Sequence, residues 1–296
     1  MNHSILITGC SSGLGKAVAL LFASQDYRVF AGVRSADDAQ KLLSKNNKII
    51  PVILDLSNKE QIVEVAKFVD QKCLPDGLSI LINMAGYTPI SPFEYTEDHV
   101  VREVFEVMLF GPIALTKALL PTLKRNFIKN GNRAKIINIS SWAAIDAGPF
   151  TGIYSSVKAA LLRLTESQYY EFQRIGIDAI AVLPGLMKSP LLTTKAEAEV
   201  KKSLINLPSE GLSTYEESLS HISEMGNLTK NSYFVPEPHI IAKQIFKIAK
   251  KKNPYSRYLI GKDTFLINIL NKITPLCLLE NAKMKLYRIN KLSNFK

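Results

Sequence analysis

The chain has little cysteine, little histidine and no long uninterrupted apolar run. Its three cysteines, Cys10, Cys73 and Cys277, are far apart and lack the spacing of a disulfide framework or a zinc site. They suit a reducing compartment, where each packs as a small hydrophobe. The four histidines, His3, His99, His221 and His239, form no paired pattern, so no metal is expected. The best membrane-span candidate, 264–279, is interrupted by Asn268, Asn271, Lys272 and Pro275. No window reaches the ~18–20 clean apolar residues that a span needs. Strand-like residues begin at Ser4, which leaves no room for a signal peptide. These absences predict a cytoplasmic protein.

Acidic residues run short in one place. Residues 243–296 hold thirteen Lys and Arg against Asp263 and Glu280, which accounts for the whole net charge of +11. That stretch lacks a recognisable nucleic-acid-binding fold and interleaves its charges with aliphatics, so no nucleic-acid partner is expected. It reads either as an amphipathic, membrane-facing C-terminus or as a solvated lysine-rich surface. At 296 residues and 47% hydrophobic, the chain has core enough for one large domain plus an appendage.

Short apolar runs at 4–8, 28–33, 49–54, 78–83, 134–140, 177–183 and 256–260 alternate with helical patterns near 14–25, 58–72, 97–127, 154–174 and 238–252. Strands this apolar, separated by helices, predict a doubly wound parallel sheet of about seven strands, covered on both faces in the Rossmann manner. Residues 186–235 break the alternation, and a fifty-residue excursion of this kind reads as a substrate loop or lid. We therefore expect one domain over 1–262, including that loop, followed by a basic amphipathic helical extension over 263–296.

Two stretches carry chemistry. The first, "ILITGCSSGLGKAV", ends a strand in Gly9, Gly13 and Gly15 and opens a helix. Five residues between Gly9 and Gly15 are too many for a P-loop, and Ala17 stands where that loop needs a hydroxyl. The glycines still permit a tight turn, a close approach of backbone to a pyrophosphate, and helix packing on the sheet, with the helix N-terminus facing the anion. An ordinary strand–turn–helix corner is the plain alternative. In the second, Tyr154 and Lys158 are four apart at a helix start and share a face, so an ammonium can bring the phenol toward working pH. Tyr258 with Lys262 and Tyr287 with Lys291 repeat the spacing, so the spacing alone says little. Ser141, at the end of an apolar strand thirteen residues before Tyr154, supplies the context: a hydroxyl able to polarise a carbonyl in the same crevice.

Thr8-Gly9-x-x-x-Gly13-x-Gly15, Asn83-x-Ala85-Gly86, Ser141, Tyr154-x-x-x-Lys158 and Pro184-Gly185 follow each other as in the short-chain dehydrogenase/reductase family. The resemblance covers residue 4 to about 260, and details such as "RVFAGVR" are similar to the 17β-hydroxysteroid and retinol dehydrogenase branch. It implies an oxidoreductase that moves a hydride between NAD(P) and a carbonyl or carbinol carbon. Tyr154 would be the acid/base, Ser141 would bind the reacting oxygen, and Lys158 would lower the Tyr154 pKa and hold the nicotinamide ribose. The pyrophosphate loop would be Thr8, Gly9, Ser11, Ser12, Gly13, Leu14 and Gly15. Asp55 would contact the adenine, and Leu56, Asn83, Ala85 and Gly86 would be further cofactor-binding residues. Pro184, Gly185, Met187 and Ser189 would also bind the cofactor. A helix-turn role is the alternative for Asp55. A homodimer or homotetramer through the long fourth and fifth helices is the family expectation.

Arg34 stands where an NAD-preferring enzyme places an Asp, so NADP(H) is expected over NAD(H). The alternative is a surface Arg paired with Asp37 or Asp38. Two departures from the family pattern stand out: Met84 within Asn-Met-Ala-Gly, and Met108 in "EVMLFG" where the family has the Asn of its proton relay. That residue acts through its carbonyl, which methionine keeps; methionine loses the polar side chain that helps distort the helix. The leading expectation is an NADP(H)-dependent oxidoreductase of lipid metabolism acting on a bulky hydrophobic alcohol or ketone (a steroid, retinoid or long-chain lipid). A catalytically weak NADP(H)-binding regulatory protein is the alternative.

Overall fold

A computed structural model describes residues 3–190 and 193–289. Lys291, counted above in a Tyr–Lys pair and in the basic tail, lies outside the described residues. Seven parallel strands form one sheet in the order β3-β2-β1-β4-β5-β6-β7. They are β1 (Ser4–Ile7), β2 (Arg28–Val33), β3 (Ile49–Ile53), β4 (Ile80–Asn83), β5 (Ala134–Ile139), β6 (Ile177–Pro184) and β7 (Arg257–Ile260). All seven expected strands are present within two residues at either end. Their apolar runs are continuous because the sheet is buried on both faces.

Alternation along each strand assigns the faces. Ile5 and Ile7 of β1 pack with Val18, Ala19 and Phe22 of α1 (Gly13–Ser24) and with Ile241 and Ile245 of α9 (Pro238–Ala249). Leu6, on the opposite face, packs with Ile62 and Val69 of α3 (Lys59–Lys72) and with Leu115, Leu119 and Leu123 of α5 (Gly111–Asn130). Each fully buried side chain of this size contributes roughly 1.5–3 kcal/mol. The remaining helices are α2 (Ala36–Leu43), α4 (Asp98–Phe105), α6 (Gly152–Glu171), α7 (Thr194–Asn206), α8 (Ser209–Asn231), α10 (Lys262–Ile273) and α11 (Leu276–Leu286).

Three expectations change. Helix α2 was not anticipated: its sequence is polar, and only Leu42 is buried. Its start is nevertheless signalled, because the Ser35 side chain accepts from Asp38 N at 3.2 Å. The single helix expected over 97–127 is α4 and α5 joined by a π turn, Glu106–Phe110, in which Gly111 N donates to Glu106 O. The stretch most like a membrane span is this helical run, Asp98–Asn130, rather than 264–279. It passes on length and composition, but Leu115, Leu119 and Leu123 lie at 0% exposure against the sheet, as in a core helix. The excursion after β6 folds into α7 and α8 around its own apolar cluster of Val200, Leu207 and Leu219 with Ile90.

Candidate active site

The glycine-rich turn forms because β1 must give way at once to α1. Gly9 has φ +74°, and a Cβ there would lie 2.7 Å from the Ala85 backbone. Gly15 leaves no room for a side chain against the Gly9 carbonyl. Thr8 Oγ1 accepts from Met84 N at 2.9 Å and Ala85 N at 3.1 Å, which ties the ends of β1 and β4 together. Ser12 is the N-cap of α1 without a side-chain bond to the helix, and no acid stands in the first turn. The first N–H groups and the positive helix end are therefore open to an anion. Ser11 is exposed and Leu14 half-buried on the same turn. The loop after β6 arches over it, with Pro190 Cδ and Ser189 Cβ 3.7 and 3.8 Å from where a Gly13 Cβ would stand. Met187 packs on the core beneath that loop.

At the ends of β2 and β3, Arg34 is exposed beside Asp55. Burial pushes the Asp55 carboxyl up, but hydrogen bonds from Ser57 and the nearby guanidinium outweigh it and hold it below its ordinary value. Asp55 Oδ1 accepts from Ser57 N at 2.9 Å, so its side chain does shape the turn before α3, while the cap itself is Asn58. Asp37 pairs with Lys41 and Asp38 bonds Ser35, so neither holds Arg34. Leu56 is buried, its carbonyl against Gly111.

Asn83 takes a scaffolding place. Its Nδ2 donates to Asn138 Oδ1 at 2.8 Å, and Asn138 Nδ2 donates to Thr165 Oγ1 at 2.8 Å, a buried ladder from β4 through β5 to α6. Ala85 and Gly86 follow at the strand's carboxyl end, with Met108 packed so close that a Gly86 Cβ would lie 2.9 Å from its Cε.

Ser141, two residues past β5, caps a short 3-10 turn, its Oγ accepting from Ala143 N at 3.1 Å. Tyr154 and Lys158 lie on one face of α6, with Lys158 Nζ 5.7 Å from the centre of the Tyr154 ring. Lys158 is only 5% exposed, and its Nζ donates to Ile139 O at 2.8 Å. Burial depresses its pKa to about 8. The expected depression of the Tyr154 phenol is reversed. Burial raises it above its ordinary value, opposed by hydrogen bonding with Ser141 and with Thr88. Lys158, whose ammonium is held by the Ile139 carbonyl, is not among the groups that offset the burial of the phenol. Thr88 was not foreseen; its proximity to the phenol depends on how the loop after β4 crosses α6, and no spacing encodes that. Between Ser141 and Tyr154 the loop contains Phe150 at φ +61°, a strained conformation for a bulky residue, with its ring edge-on to Tyr215 of α8 at 5.8 Å.

The helix around Met108 is distorted without the missing Asn. Pro112, four residues on, has no N–H to offer the Met108 carbonyl, and the π turn sits where that bond would form. Met108 itself is 1% exposed, packed with Val104, Val157 and Tyr154. Among the described residues no group of three or more His, Cys, Asp or Glu is placed to hold a metal.

The sequence family described as short chain dehydrogenase matches residues 3–200. A 3-amino-tetrahydro-pyrrolizinone reductase of Xenorhabdus hominickii is 29% identical over 88% of this chain and 87% of its own. Rat (Rattus norvegicus) estradiol 17-beta-dehydrogenase 2 is 27% identical over 94% of this chain and 73% of its own. A solved short-chain dehydrogenase from Streptomyces avermitilis superposes with a TM-score of 0.73 at 21% identity, covering 98% and 99% of the two chains. Another from Burkholderia cenocepacia, in complex with NADP, gives 0.64 at 22%, covering 95% and 97%.

Proposed function

The chain belongs to the short-chain dehydrogenase family and is an oxidoreductase; on that premise we propose that it interconverts a hydroxyl and a carbonyl on a bulky hydrophobic substrate with NADP(H). The observation that carries the reading is one cluster: Ser141, Thr88, Tyr154 and a buried Lys158 at the carboxyl ends of β4 and β5.

The residues fit the dinucleotide. The uncapped, acid-free N-terminus of α1 suits a pyrophosphate, and Arg34 with no carboxylate partner from α2 suits a 2′-phosphate. Gly13 and Ser189 bracket that cradle, while Asp55 stands at its adenine end. A bound nicotinamide supplies or accepts the hydride. The chain's own part is to hold the reacting oxygen between Ser141 and Tyr154 and to move a proton at the Tyr154 hydroxyl. A phenol held up by burial is protonated at neutral pH, which suits donation to a forming alkoxide. Met108 keeps a main-chain carbonyl, and Pro112 has no N–H to give it the usual helical bond, which supports a relay through main chain despite the loss of Asn. The aromatic wall of Phe150, Tyr215 and Tyr95 supports an apolar substrate.

The assay is NADPH oxidation with a panel of hydrophobic ketones, wild type against Tyr154→Phe. Turnover is expected to fall by about 10²–10⁴ in the variant, with NADPH affinity kept. Tight NADPH binding with no turnover on any ketone favours the regulatory binding protein instead.

As partners we propose a second copy of the chain, in a homodimer or homotetramer, and an anionic membrane surface in a cytoplasmic setting. On α10 and α11, Phe265, Leu266, Ile273, Leu276 and Leu278 are exposed beside Lys272, Lys285 and Arg288. Each such cation near an anionic surface adds about 1 kcal/mol. Flotation with anionic liposomes is expected for the wild type and lost in a Phe265→Ser, Leu266→Ser, Ile273→Ser variant.

A further inference from the structure

Helices α10 and α11 have almost no core of their own: Thr264 is the one buried residue of α10, and α11 has none. Their place is set by a few polar contacts, and those fall on three segments around the candidate active site. At the start of α10, Asp263 Oδ2 accepts from Leu186 N at 2.6 Å. The carboxylate fills the space beside Gly185 so completely that no Cβ fits there. This fixes the loop after β6, which arches over the glycine-rich turn. Farther along, Asn271 Nδ2 donates to Ile145 O at 3.0 Å and to Asp146 Oδ1 at 3.3 Å. Lys283 of α11 pairs with Asp146 and donates to Ala147 O at 3.1 Å. The Tyr287 hydroxyl lies 3.0 Å from where a Gly148 Cβ would stand. These contacts hold the loop between Ser141 and Tyr154. On the far side, Ser218 Oγ donates to Arg288 O at 3.1 Å, and His221 Nε2 is 3.0 Å from Leu286 O. Both residues belong to α8 of the substrate excursion.

We infer that α10 and α11 form a strap that fixes the separation of the two loops on either side of Tyr154, with Asp263 and Lys283 as positioning residues for the reaction. The inference rests on Tyr154 and Ser141 being the reacting groups. Asp146 and Lys283 are 15% and 33% exposed, so their pair is shielded more than an ordinary surface pair and has a fixed carbonyl as third member. A loop carrying a strained Phe150 needs such a restraint, because nothing in its local sequence favours that conformation. The two ends of the strap also divide the labour. The Asp263 end bears on the loop that covers the nucleotide turn, and the Lys283 end bears on the loop that borders the substrate.

The test uses the full chain and compares wild type, Lys283→Ala, Lys283→Arg and Asp263→Ala. Amide hydrogen exchange is followed over 142–151 and 185–190, alongside NADPH affinity and the steady-state constants. Lys283→Ala is expected to speed exchange in 142–151 by about tenfold and to raise KM for the ketone by a similar factor. NADPH affinity should stay within about twofold, and Lys283→Arg should restore both quantities, because a guanidinium still reaches Asp146. Asp263→Ala is expected to speed exchange in 185–190 and weaken NADPH by about tenfold. Unchanged exchange in 142–151 for Lys283→Ala overturns the strap whatever the activity. Faster exchange restored by Lys283→Arg, in a protein without turnover in any form, upholds the strap and overturns the catalytic reading. Should Lys283→Ala fail to fold, Lys283→Arg and Lys283→Gln against wild type give the same decision.

Discussion

Every residue of β6 is buried, whereas α11 has no buried residue, yet both border the same cleft. The strand is held by apolar area spread over both faces of a sheet. The helix and the turn after it are held by a handful of donors and acceptors on α8 and on the loop between Ser141 and Tyr154. The difference teaches where single substitutions act. In the sheet half, losing one polar group alters chemistry or leaves a buried charge while the architecture survives. At the strap, losing one polar group moves a segment.

The largest effect expected in the sheet half comes from Arg133→Ala. Arg133 Nε bonds Asp178 Oδ1 at 2.7 Å, and the Asp178 side chain is 4% exposed at the start of β6. Removing the guanidinium leaves a buried carboxylate unpaired and should cost about 3–5 kcal/mol in urea unfolding. A loss under 1 kcal/mol would mean that the sheet tolerates polar damage as the surface does.

Next is Lys158→Met. The folded pKa of about 8 lies below the ordinary 10.5, so between those values the unfolded chain binds more protons than the folded one. Wild-type stability should therefore rise as pH goes from about 8 to 10.5, with the burial cost fully present below 8. Methionine should abolish that rise and stabilise the protein at pH 7 by up to about 3 kcal/mol. A pH profile identical to wild type would refute the assignment.

Arg34→Ala should weaken NADPH by about ten- to a hundredfold and leave NADH nearly unchanged, measured by calorimetry. Equal loss for both cofactors would remove the basis for an NADP preference. The smallest change is expected from Met108→Asn. With the π turn set by Pro112, the variant should keep NADPH affinity and shift turnover less than about tenfold. A larger drop would show Met108 acting through substrate packing.

Much of this was legible in the sequence, for physical reasons that differ by region. The strands announced themselves because burial on two faces demands uninterrupted apolar runs. Gly9 and Gly15 could be read because a backbone crossing at van der Waals contact excludes any side chain. Tyr154 and Lys158 shared a face by helical geometry alone. Helix α2 escaped because one buried leucine leaves no periodicity to detect. The motif placed Asn83 at the end of β4 but did not report that its side chain spans the ladder to Asn138; a motif gives position, not direction. The upward direction of the Tyr154 shift was not foreseen because spacing shows that a lysine is near and says nothing of how deeply the phenol is buried. Asp263 and Lys283 meet partners 77 and 137 residues away, and no local pattern reports such pairs.

The thinness of α11 has a thermal consequence. A segment without buried side chains opens at a small fraction of the free energy that unfolds the sheet. On warming, α10 and α11 are expected to detach first, and the loops they hold to lose their registration while the seven strands stay paired. Activity should then fade at a temperature below the main calorimetric transition, and the interval between the two would report how weakly the strap is fastened.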